Sequence, residues 1–166
     1  MSQLTQIVYV SRSTSASSAG FTNIDANAGK ILIQARANNR KHNLSGGLCF
    51  ADGCFLQCLE GEEAILNALL LKLAADPRHC DLTVLFQKPI QQRDFAEWEM
   101  KFVAIQSPMM KWLKVQGYDR FDPYQFDRKT VQRIMEFIGA AQNLDVVPAT
   151  ASDPLNRSGH EETLLQ

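Results

Sequence analysis

Charge of one sign is missing from this chain: its 166 residues carry 17 Lys and Arg against 18 Asp and Glu, a formal net charge of −1. Without a summed field of either sign, neither nucleic acid nor an anionic membrane is marked as the partner. Long apolar runs are missing too, all falling short of the roughly 20 residues a membrane-crossing helix needs. Met1 to Ile7 lack the basic and apolar regions of a secretion signal, so the cytoplasm is the expected location. Paired cysteine spacing of the kind tetrahedral zinc favours is also absent. Cys49, Cys54, Cys58 and Cys80 sit mostly inside apolar stretches and read as reduced, buried small hydrophobes. No internal repeat is visible.

The 45% hydrophobic content and the length suffice for one core with trimmings. Ile7, Tyr9 and Ser11 alternate with Val8 and Val10, which predicts a first strand. A Ser-, Thr- and Gly-rich loop follows over 11–23, then a helix over about 25–42. Gly47–Phe50 and Cys54–Leu59 flank Asp52-Gly53, a strong hairpin signal. Glu62 and Glu63 open a second helix ending near Ala75, with Pro77 just beyond. Leu82–Phe86 reads as strand four. Trp98, Met100, Phe102 and Ala104 alternate with Glu99, Lys101 and Val103 as strand five.

The order βαββαββ implies an α+β, ferredoxin-like, mostly antiparallel sheet with two helices on one face. Val131, Ile134, Met135 and Ile138, with Asp127 as cap, predict a further helix on the other face. The expected organisation is a core over 1–105, a helical extension over 106–146 and, from its polar composition, a disordered tail over 147–166.

The informative feature is polar side chains where periodicity calls for interior. Asn38 and Asn39 fall seven residues after Ile31 and Leu32, Gln57 shares a strand face with Phe55 and Leu59, and Tyr9 sits between Ile7 and Ser11. A buried polar group left unpaired costs about 1–3 kcal/mol, so these residues together ask for a shared flat, polar partner. Singly, each is as well served by a backbone group at a helix end or bulge.

The segments Asn38-Asn39, Leu44-Ser45-Gly46-Gly47-Leu48, Asp52 to Gly61, Asp76-Pro77-Arg78-His79 and Arg93 to Met100 together resemble the BLUF family, blue-light sensors using FAD. The resemblance runs from about Gln6 to Ala104. It implies FAD as cofactor, with FMN or riboflavin as lesser alternatives. Asn38, Asn39 and Gln57 would hold the ring edge, Ile31 and Leu32 would form apolar walls, and Lys72, Arg78 and His79 would reach the ribityl or phosphate part. The bland counterpart is a solvated lysine and a helix-stopping turn.

It also implies that Tyr9 gives an electron and then a proton, that Gln57 bridges it to the ring, and that Trp98 or Met100 changes place beside Gln57; both also fit as ordinary core residues. The implied output is a signal to a separate downstream protein, without catalysis, since no effector domain is recognisable after the core. A homo-oligomer is expected. Met109, Met110, Trp112 and Leu113 would supply its contact or, more commonly for such a cluster, core packing. The loop after Tyr9 is longer than the family usually has. Two other readings share the layout. One is a small enzyme, acylphosphatase-like or flavin-dependent, for which Ser11-Arg12-Ser13 is only a faint anion cradle. The other is a ligand-binding regulatory module of ACT type.

Overall fold

The computed structural model describes residues 2–14, 26–105 and 107–140. In chain order these form β1 (Leu4–Ser13), α1 (Ala26–Lys41), β2 (Ser45–Ala51), β3 (Cys54–Glu62), α2 (Glu63–Ala74), β4 (His79–Pro89), β5 (Lys101–Ala104), α3 (Ser107–Val115) and α4 (Arg128–Ala140). Most of the expected polar loop, and the expected tail, lie outside the described residues.

The strands form one sheet in the order β4-β1-β3-β2-β5. β1 is central and antiparallel to both β3 and β4, while β2 runs antiparallel to β3 and parallel to β5. Each helical crossover skips one strand, which leaves β1 and β3 in the middle and puts both crossover helices on one face. The β2–β3 hairpin turns through Asp52 (φ 50°) and Gly53 (φ 75°), both in the left-handed region that a two-residue turn of this hand requires.

Strand alternation divides the interior into two cores. Ile7, Tyr9, Leu48, Phe55 and Leu59 meet Leu32 of α1 and Leu66 of α2 on one face. Val8, Cys49, Leu56, Cys58 and Val103 meet Leu113, Phe121, Ile134 and Ile138 on the other. Asp127 caps α4 as expected, its carboxylate accepting the Thr130 N–H at 2.7 Å.

The structure departs from the sequence reading in several places. β4 starts at His79, three residues before Leu82, and Ser107–Val115 forms a helix the sequence reading did not mark. Cys80 is exposed on β4, unlike the three buried cysteines. β5 starts at Lys101, not Trp98. Trp98 precedes a bend at Glu99 and Met100, its N–H donating to Phe95 O and its carbonyl accepting Gly46 N–H, so two-residue alternation does not extend back to it. Met100 joins the core beneath α1 and α2, whereas Trp98 packs against the opposite one. Met109 and Leu113 are buried within the chain, matching core packing for that pair.

Candidate functional site

The site lies between the sheet and the pair α1 and α2. Antiparallel pairing sets Tyr9 of β1 opposite Gln57 of β3, and residues directly opposite share a face with Cβ atoms about 4.5–5.5 Å apart. The Tyr9 hydroxyl donates to Gln57 Oε1. Gln57 Nε2 in turn donates to Met100 Sδ at 3.7 Å. All three side chains are buried, so phenol, amide and thioether form one hydrogen-bonded chain along the pocket wall. Burial, with the Asp76 carboxylate adding to it, pushes the Tyr9 phenol far above its ordinary range. Tyr9 is therefore a neutral O–H donor.

A cavity of about 540 Å³ opens over this chain, bounded by Tyr9, Ser11, Phe55, Gln57 and Leu59 from the sheet. Ile31, Gln34, Ala35, Asn38 and Asn39 line it from α1, Leu69, Lys72, Leu73, Asp76, Pro77 and Arg78 from α2 and the turn after it, and His79 from the start of β4. Ile31, Gln34, Ala35 and Asn38 follow one helical stripe. Asn39 is buried and donates through Nδ2 to the Glu99 carbonyl at 2.5 Å.

At the mouth, the Arg78 guanidinium grips the Asp76 carboxylate, with one N–O distance of 2.5 Å, and holds the Asp76 pKa down to about 2. Thr14 Oγ1 donates to the Pro77 carbonyl at 2.8 Å, tying the turn to the end of β1. His79 is only 8% exposed, and its Nδ1 is buried without a partner. Burial lowers its pKa below the ordinary 6.5, favouring the neutral imidazole.

Of the residues singled out from sequence, Tyr9, Ile31, Asn38, Asn39, Gln57, Lys72, Arg78 and His79 line this cavity. Met100 stands behind Gln57. Leu32 does not line the cavity; it is buried in the core beside it. Trp98 lies on the other side of the sheet, with Lys101 Nζ 5.1 Å from its ring centroid. Gln34 and Asp76 were missed; Gln34 was readable, since it continues the stripe from Ile31.

A ferredoxin-like α+β fold with a phenol- and amide-walled cavity between sheet and helix pair defines a small-ligand binding domain. Residues 4–101 match the family of sensors of blue-light using FAD, and the chain belongs to that BLUF family. Among its relatives, photoactivated adenylate cyclase subunit beta of Euglena longa is 35% identical over 100 residues, covering 60% of this chain and 11% of the relative. The Euglena gracilis subunit beta is 34% identical over 99 residues, covering 58% and 11%. This chain thus matches about a tenth of the length of those relatives. Among solved structures, BlsA in its photo-activated state superposes with a TM-score of 0.73 at 26% identity, covering 84% of this chain and 96% of that one. The dark-state structure of BlrB, a BLUF protein, gives 0.67 at 24% identity, covering 86% and 99%, and shares the fold.

The residues fit the family's cofactor, FAD. The cavity falls in the range of about 300–1,000 Å³ usual for ligand sites. A flavin ring edge of carbonyl, N–H and carbonyl suits primary amides, which carry both donors and acceptors. The unpartnered His79 Nδ1 is the kind of buried polar atom that a bound group's hydroxyl satisfies.

Proposed function

We propose that this chain senses blue light by reorienting one amide, that of Gln57, and passes the change to a separate partner protein without catalysing a reaction. The observation that carries this reading is the continuous bond chain from the Tyr9 hydroxyl through Gln57 to the Met100 sulfur. Asn38, Asn39 and Gln57, which line the cavity, would hold the ring, Ile31 would wall it, and Lys72, Arg78 and His79 would attend its tail. When bound, FAD supplies blue-light absorption and, once excited, a vacancy for one electron.

Tyr9 is the chain's electron donor, because it is an oxidisable phenol whose proton already points along a bond to Gln57 Oε1. Electron and proton later return to Tyr9, so the chain ends in its starting redox state. What persists is the orientation of Gln57. With the amide reversed, Oε1 faces Met100, and a thioether sulfur accepts but cannot donate. The 3.7 Å bond to Met100 is then lost and the sulfur is released. In a low-dielectric pocket such an exchange of donor for acceptor biases neighbouring packing.

Catalysis is not needed for this role, and the charged pair nearest the pocket, Asp76 and Arg78, is engaged with itself. The partner is read as a separate protein and the location as the cytoplasm. The test is a pair of variants. Gln57→Leu is expected to retain flavin yet show no light-induced red shift, and Tyr9→Phe to abolish the photocycle. A full shift in Gln57→Leu would refute the role given to the amide.

A further inference from the structure

We propose that Arg36, which stands on α1 and lines no part of the cavity, is a positioning residue for Met100: by holding the Met100 carbonyl it keeps the thioether against Gln57 and sets how fast the dark arrangement is regained. The inference rests on the amide-reorientation reading above.

Among the described residues, Met100 stands one residue before β5 and outside its ladder, and β5 itself pairs with β2 alone over the short register Gly47↔Lys101 to Phe50↔Ala104. Yet its side chain is 1% exposed, with its sulfur 3.7 Å from Gln57 Nε2. The hold comes from α1. Arg36 Nε donates to the Met100 carbonyl at 3.0 Å, and Asn39 Nδ2 to the preceding Glu99 carbonyl at 2.5 Å. Arg40 meets the Glu99 carboxylate through Nε and Nη2 at 2.8 and 3.0 Å. One helix thus clasps two consecutive residues from three points.

The three points differ in weight. Arg40 and Glu99 are exposed, and pairs of that kind hold little in water. Asn39 also lines the cavity, so changing it disturbs ligand and clasp together. Arg36 is half-buried, bonds directly to the Met100 carbonyl and lines no part of the cavity. Of the three, it alone bonds to the Met100 backbone while lining no part of the cavity. When the reversed amide releases the sulfur, a clasped backbone confines Met100 to side-chain rotations and it reseats quickly. Unclasped, its backbone must be reordered first.

The experiment compares Arg36→Met, which keeps much of the apolar stem, with Arg40→Met, Met100→Ala and the double variant Arg36→Met/Met100→Ala, each loaded with FAD. Loss of a partly buried hydrogen bond from a charged donor predicts about tenfold slower dark recovery in Arg36→Met. Arg40→Met should stay within about twofold of the parent. In the Met100→Ala background the Arg36 change should add nothing, because a residue acting through Met100 has nothing left to act on. A second readout needs no light: backbone amide exchange over 101–104 in dark protein should quicken about tenfold in Arg36→Met. Arg36→Lys, which restores a cationic donor, should fall between parent and Met. Unchanged recovery and exchange in Arg36→Met, or a recovery effect of equal size without Met100, would overturn the proposal. Failure of the underlying reading looks different: a red shift persisting in Gln57→Leu refutes that reading while the exchange arm still reports on the clasp.

Discussion

Glu60 offers the sharpest test of how the segment leading into β5 is held to the sheet. Its carboxylate is fully buried in β3. Oε1 accepts from Gln6 Nε2 and from the Asp94 N–H, both at 2.9 Å. Oε2 accepts from Ser45 Oγ and the Phe95 N–H, both at 3.0 Å. The carboxylate therefore ties β1, β2 and the segment leading into β5 to one point. In Glu60→Gln one oxygen becomes an NH₂ group. The less costly orientation turns that group toward Ser45, whose hydroxyl can accept, and strands the buried Phe95 N–H. A stranded buried N–H costs about 1–3 kcal/mol and weakened bonds to the former carboxylate add to it, so we expect about 2–4 kcal/mol in total. With a urea m-value of about 2 kcal/mol/M, the unfolding midpoint should fall by about 1–2 M at unchanged slope. Far-UV circular dichroism in a urea series measures it, with Ser45→Ala as the milder control. A midpoint indistinguishable from the parent would show that the cluster is geometry without energy and refute the reasoning.

Two further perturbations have signed outcomes. A Cβ on Gly47 would lie 2.8 Å from Phe95 Cε1 and 3.0 Å from Ile138 Cγ2, whereas one on Gly46 would lie 2.2 Å from the Cys58 carbonyl oxygen. Gly47→Ala should cost about 1–3 kcal/mol of thermal stability and be partly rescued by Phe95→Leu; Gly46→Ala meets backbone, and the same rescue should fail. Tyr9 has its pKa raised by burial from the ordinary 10.0, so its contribution is intact below pH 10 and lost as pH rises, because the unfolded phenol ionises first. Urea midpoints between pH 10 and 11 should fall less steeply in Tyr9→Phe, by up to about 1.4 kcal/mol per pH unit, and equal slopes would contradict the burial of the phenol.

Periodicity made much of the site readable. Tyr9 and Gln57 alternate with apolar neighbours on central strands, and the burial of Asn39 was visible because a helix repeats its face every seven residues. The same device failed at Trp98: it assumes an extended chain, and the chain bends at Glu99 and Met100, which puts Trp98 on the other side of the sheet. The early start of β4 was hidden because Asp76-Pro77-Arg78-His79 reads as a helix stop, while the strand tolerates Asp81 at φ 53° beside a register shift opposite Val10 and Arg12. Arg36 carried no local signal at all. An arginine on an amphipathic helix reads as solvated until tertiary structure brings a carbonyl 64 positions away within reach.

The central position of β1 has a consequence for how this molecule ages and adapts. Its phenol belongs to a strand bonded on both flanks, whereas the Met100 thioether stands just before β5, a short strand at the border of the sheet that the described residues form. On the proposed reading, the electron donor therefore sits in a strand paired along both edges, and the side chain that registers the change sits beside a strand paired along one. On that reading, substitutions along this border are expected to change the rate of dark recovery while leaving the Tyr9 to Gln57 bond in place.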